Sequence, residues 1–82
     1  MNKNVSKKEV ISLVDAAAVC AYEKDANQDI RFKDGRPYII EHEAEDGGDV
    51  VISNVTSGCD PEGRWGEIEG DLEMMMGLEI ID

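Results

Sequence analysis

Glu41, Glu43 and Glu45 stand at alternate positions, with His42 between the first two. That spacing suits two kinds of chemistry: a carboxylate–imidazole metal site, or a row of negative charge offered to a cationic partner. The metal reading fails on geometry. Successive side chains of a strand point to opposite faces, so His42 turns away from its neighbours and they cannot close on one ion. One histidine and two distant cysteines, Cys20 and Cys59, also fall short of a tetrahedral zinc set. Asp46-Gly47-Gly48-Asp49 offers two carboxylates where calcium takes about six to eight oxygens, and it reads as a turn. No metal and no cofactor is expected.

The second chemistry has more behind it. At about 3.3–3.4 Å per residue, the three glutamates of a strand would stand roughly 7 Å apart, comparable to neighbouring phosphates along a nucleic-acid strand. Asp46 and Asp49 extend the row around the turn. On a predicted C-terminal helix, Glu62, Glu69 and Glu73 share one side, with Glu67 and Asp71 beside them. Two such rows form a surface that a phosphate-binding groove would accept. Charged faces are usually just solvated, but the distribution here is lopsided. Residues 1–36 carry seven bases and six acids, a balance of +1. Residues 37–82 carry thirteen acids and one base, Arg64, a balance of −12, which together give the net −11. Charge held together this way costs stability through self-repulsion, and a cationic partner relieves it.

Other chemistries are poorly served. One histidine and scattered serines and cysteines form no nucleophile–base–orienter set. Neither GxGxxG nor GxxxxGK[ST] occurs. Direct nucleic-acid binding is opposed by the charge. Two cysteines without CxxC spacing are expected as free thiols in a reducing cytoplasm. No secretory signal is read at the start, and no segment approaches the roughly 20 apolar residues of a membrane span.

One domain, residues 1–82, is expected to position these groups. Ser6 to Glu9 reads as a capping box that opens a helix over 6–25, with Val10, Leu13, Val14, Ala17, Ala18 and Ala21 on its apolar face. Ile30 and Phe32 alternate with Arg31 and Lys33, and Asp34-Gly35 supplies a two-residue hairpin turn. Pro37, lacking a donor, belongs at a strand start or open edge. Tyr38 to Glu45 then alternates as a strand with one buried and one acidic face, and Val50–Val55 follows as a third strand. Asp60-Pro61 reads as the start of a helix over 61–76, bearing Trp65, Ile68, Leu72, Met75 and Met76 and ending near Gly77, despite Gly66 and Gly70. A strand is its rival, because Glu67, Glu69, Asp71 and Glu73 also alternate with apolar residues. Leu78–Ile81 is a short strand or an apolar tail. The fold class is α+β: an N-terminal helix, a three-stranded antiparallel meander, and a C-terminal amphipathic helix, with both helices on one face of the sheet.

In size, charge and element order the chain resembles small acidic phage-encoded inhibitors of host defence, the anti-CRISPR proteins and restriction inhibitors that mimic DNA. The resemblance rests on no shared motif. It implies a protein without enzymatic activity that occupies the basic nucleic-acid groove of a nuclease or CRISPR effector in the host cytoplasm. Glu41, Glu43, Glu45, Asp46, Asp49, Glu67, Glu69, Asp71 and Glu73 would then stand in for phosphates. The alternative is a homodimeric structural or regulatory subunit, joined through Met74, Met76, Leu78, Ile80 and Ile81, whose charge serves only solubility.

Overall fold

The N-terminal helix follows from its apolar spacing. Val10, Val14, Ala17, Ala18 and Ala21 are all buried, which places one stripe of the helix against the rest of the chain. The computed structural model of the protein describes residues 4–81. Its elements are β1 (Asn4–Ser6), α1 (Lys7–Lys24), β2 (Gln28–Lys33), β3 (Arg36–Glu41), β4 (Asp49–Val55), α2 (Trp65–Met76) and β5 (Glu79–Ile81). The class is α+β, as the sequence predicts.

Ser6 sits at the N-cap of α1 in an extended conformation, yet its side chain makes no capping hydrogen bond. The predicted capping box is therefore not formed. Ser6 also closes β1, which pairs in parallel with β5 in the register Val5↔Ile80 and Ser6↔Ile81. Leu78–Ile81 thus yields a short strand, and its partner is the residue run just before α1.

The main sheet is not the expected meander. Its order is β3-β2-β4, so β2 is central and both neighbours run antiparallel to it. β3, expected in the middle, is an edge strand that pairs only with β2. Pro37 sits there opposite Phe32, where its missing donor is harmless. Asp34 (φ 54°) and Gly35 (φ 78°) both adopt left-handed conformations, the geometry of the tight hairpin turn predicted for them. β4 reaches β2 from its other side across an irregular register at Gln28/Ile30 and Ile30/Arg31, with Asn54 at φ 59° in the bulge.

Both helices cover the face of the sheet that carries Ile30 and Phe32. Val10, Val14, Ala17 and Ala18 of α1 and Ile68 and Leu72 of α2 join these residues, with Val51, Ile52 and Val55, in one apolar core. Ile39, half-buried, packs against it from the edge strand. The side of β3 read as charged and solvent-facing is therefore the side that meets the helices. Leu78 is buried in the same core, and Met76 and Ile80 pack on its margin.

Helix α2 begins four residues later than Asp60-Pro61 suggests. Asp60 Oδ1 accepts the Glu62 N–H at 3.1 Å, and Arg64 N–H bonds to the Asp60 carbonyl at 3.2 Å, making a turn of its own. A Cβ at Gly63 would stand 2.8 Å from Asp60 Oδ2, so a side chain there would push the Asp60 carboxylate aside. α2 ends as predicted at Gly77 (φ 63°), whose N–H bonds to Glu73 O. At its start the Trp65 ring lies 5.1 Å beneath the Lys7 ammonium, linking the first turns of the two helices.

Leu72 is 1% exposed at the centre of this core. Leu72→Ala is expected to cost about 2–5 kcal/mol, measured by urea denaturation. In a chain this small, that is a large part of the total stability.

Candidate protein-binding site: an acidic loop anchored on a buried carboxylate

Asp29 and Arg31 alternate with the core residues of β2, so they occupy the sheet face opposite the helices. Both are buried all the same. Arg31 lies between its cross-strand partners Tyr38 and Val50, and its side chain is 8% exposed. A buried carboxylate must collect donors, and Asp29 has three. His42 Nδ1 is 2.8 Å from Asp29 Oδ1, the Asn54 backbone N–H donates to the same oxygen at 3.1 Å, and Arg31 Nη2 stands 3.4 Å from Oδ2. The bulge in β4 is what aims the Asn54 N–H at Asp29. Burial alone pushes the Asp29 carboxyl upward, but the bonds from Asn54, His42 and Arg31 outweigh it and hold it below 3.8.

The pull of Asp29 on His42 decides the fate of the glutamate row. β3 stops at Glu41, the His42 N–H bonds to Asn27 O, and Ala44 N–H returns to Glu41 O at 3.1 Å. Glu43 takes a left-handed conformation, φ 66°. Glu41, Glu43 and Glu45 are therefore not three same-facing residues of one strand. Glu41 ends the strand, while Glu43, Glu45 and Asp46 belong to a loop over residues 42–48. All four carboxylates are exposed. His42 turns its Nδ1 to a buried carboxylate, and the expected opposition to both neighbours fails for Glu43, whose carboxylate lies 3.7 Å from His42 Nε2.

A second anchor holds the far end of this loop. Asp46 Oδ1 accepts hydrogen bonds from the Tyr38 hydroxyl and, at 2.8 Å, from the Gly48 N–H. The bond from Tyr38, helped by Gly48, lowers the Asp46 carboxyl, and the same bond raises the Tyr38 hydroxyl. Gly48 passes so close to the Tyr38 ring that a Cβ there would lie 2.9 Å from Cζ. The sequence reading of Asp46-Gly47-Gly48-Asp49 as a turn therefore holds, with Asp46 as its internal acceptor. Asp49 opens β4 and is exposed.

The helix acids sit elsewhere. With Trp65, Ile68, Leu72 and Met76 turned toward the core, a rotation of about 100° per residue puts Glu67 and Asp71 on one flank of α2 and Glu69 and Glu73 on the other. Gly66, Gly70 and Met74 lie between the flanks. Glu62 precedes the helix and joins neither row. Because α2 covers the core face and the 42–48 loop lies over the opposite one, bonded to Asp29 and Tyr38, Glu43, Glu45 and Asp46 are separated from the helix acids. Glu41, opposite Gln28, and Asp49, opposite Phe32, instead keep the register of the core face. The structure separates what the sequence reading set side by side.

Few of these charges are neutralised internally. Glu43 is 3.7 Å from His42 Nε2, and Glu67 is 3.8 Å from Arg64 Nε. Among the described residues, no ion pair involves Glu41, Glu45, Asp49, Glu69, Asp71 or Glu73. The one base of the acidic half is already engaged, since Arg64 Nη1 also donates to Cys59 Sγ at 3.3 Å. Cys20 and Cys59 are both free thiols. Among the described residues, no group of three or more His, Cys, Asp or Glu side chains is placed to hold a metal ion, and no helix is long and apolar enough to cross a membrane.

The chain matches no protein-family model, no curated protein and no solved structure. The functional reading therefore rests on geometry and charge alone.

What sequence reasoning missed is the Asp29–His42–Asn54–Arg31 cluster. Asp29 and Arg31 alternate with apolar residues, and nothing in that pattern marks them as buried. The only signal was a histidine inside an acidic run.

The expected consequence is specific. Asp29→Asn leaves Arg31 buried without its countercharge and should cost roughly 3 kcal/mol at neutral pH. A carboxyl held below its ordinary value contributes stability above pH 3.8, and that contribution is lost as pH falls through the lower folded value. The stability gap between wild type and Asp29→Asn should be flat above about pH 4 and close below it, followed by chemical denaturation across the acid range.

Proposed function

We propose that the protein is a non-enzymatic, protein-binding inhibitor that mimics nucleic acid and blocks the basic groove of a host-defence nuclease or CRISPR effector. The observation that carries this reading is the unneutralised charge: −12 over residues 37–82, on carboxylates that mostly lack an internal countercharge. A cationic groove supplies what the fold does not.

Of the two acidic groups, the 41–49 segment is the better ligand. Its conformation is tied to the sheet at both ends, by His42 on Asp29 and by Tyr38 and Gly48 on Asp46. Preorganised carboxylates lose less freedom on binding than mobile ones. Glu41, Glu43, Glu45 and Asp49 are the phosphate surrogates of this surface, and Asp46 is both surrogate and anchor. Glu67, Glu69, Asp71 and Glu73 on α2 form a second, separate surface for a groove that encloses the molecule from both sides.

The homodimer alternative draws less support. Of the five residues it would use, Leu78 is buried and Met76 and Ile80 pack on the protein's own core, leaving Met74 and Ile81 exposed.

The test is a pull-down with the tagged protein, washed at increasing salt. A nucleic-acid-binding complex released as salt rises is the expected result, because exposed charge pairs are screened within about 10 Å at 0.1 M. Recovery of the protein alone, indifferent to salt, would sink the proposal. Reversing Glu41, Glu43 and Glu45 to lysine together should abolish capture while circular dichroism stays unchanged. Normal capture by that variant would exclude the loop and move the site to α2.

A further inference from the structure

A cleft of about 560 Å³ opens at the seam between the two sheets, lined by β1, the start of α1, the β2–β3 hairpin and the end of α2. Its lining is mixed: Val5, Phe32, Pro37, Met76 and Leu78 supply carbon surface, with Asn4 and Gly35 beside them. Three carboxylates line it as well, from three separate elements: Glu9 on α1, Asp34 at the hairpin turn and Asp49 at the start of β4. No lysine or arginine lines it, and among the described residues none of these three carboxylates forms an ion pair. Val5, Phe32 and Pro37 also border a small apolar void over Ile30, Ile52 and Leu72, so the walls of the cleft continue into the core.

Apolar walls with carboxylates among them match one kind of group: an aliphatic stem that ends in a cation. The stem is covered by carbon surface, as long basic side chains prefer, while the head meets negative charge. A simple metal ion would leave the apolar walls unused, and a neutral apolar group would leave three carboxylates partly desolvated without compensation. We propose that this cleft receives a lysine or arginine side chain of the protein partner. The proposal rests on the partner being a basic protein surface, and it adds a shape-selective contact to what is otherwise a diffuse electrostatic one. Asp49 links the two features, since it both ends the acidic segment and lines the cleft.

The cleft can be tested without the partner. The probes are n-propylguanidinium and n-butylammonium, which carry the arginine and lysine side chains without their backbone, titrated into ¹⁵N- and methyl-labelled protein. The expected result is saturable shifts of Val5, Leu78 and Met76 methyls and of the Glu9, Asp34 and Asp49 amides. Guanidinium and ammonium ions without a stem should give weaker shifts at matched ionic strength. The double variant Glu9→Gln/Asp34→Asn should weaken binding about fivefold, while Glu23→Gln, at the far end of α1, should leave it unchanged. Shifts spread evenly over all carboxylates, stemless ions binding as well as the probes, or no loss in the double variant would each overturn the proposal. The variants also separate this idea from the broader one. If the triple lysine variant of the loop loses the basic partner and Glu9→Gln/Asp34→Asn does not, the cleft is wrong and mimicry stands. If the probes bind as expected but no basic partner is captured, mimicry fails and with it the assignment of the cleft to a partner's side chain, leaving only a site for a cation on an aliphatic stem.

Discussion

A buried carboxylate has to collect hydrogen-bond donors, and Asp29, 1% exposed, imposes that demand on the second face of the sheet. Its oxygens draw an N–H from β4, an imidazole from the segment after β3 and a guanidinium from β2. Each donor has a structural consequence. Asn54 reaches it through a bulge that places a left-handed residue in β4, His42 reaches it by ending β3, and Arg31 is kept beneath Tyr38 and Val50. The central position of β2 follows the same logic, since both flanking strands deliver a donor to it.

The molecule consequently handles charge in two ways. On the central strand, Asp29 and Arg31 are paired and hidden, at the cost of desolvation that their hydrogen bonds must offset. Over the rest of the second half, carboxylates stand exposed and mostly unpaired. The first arrangement organises the fold, and the second leaves the surface with a large negative field. The helices, on the opposite face, supply the apolar burial that keeps an 82-residue chain folded against this repulsion.

Local features of the sequence were read well where local physics decides them. The apolar stripe of α1, the Asp34-Gly35 turn, the glycine stop of α2 and the edge placement of Pro37 depend on neighbours within a few residues. The strand alternation after Tyr38 was real only as far as Glu41. Beyond that, periodicity continued in the sequence but the backbone turned, because His42 has a partner thirteen residues away. Asp60-Pro61 carries the marks of a helix start, yet Asp60 closes a turn by accepting from the Glu62 and Arg64 N–H groups instead. The strand order was equally out of reach, since a hairpin followed by a third strand is compatible with pairing on either side of the hairpin.

By itself, then, the sequence determined α1, the β2–β3 hairpin, β4, the C-terminal end of α2, the aliphatic core and the concentration of negative charge in residues 37–82, but not β1. Those properties are set by composition and by spacing along the chain. Tertiary structure alone decided that β2 is central, that the acidic loop and the acidic helix lie on opposite sides of the sheet, and that Glu9, Asp34 and Asp49 meet at one cleft. The physical reason is that these arrangements depend on satisfying a buried carboxylate and closing a core between distant segments. Both are long-range conditions that no short window of residues encodes.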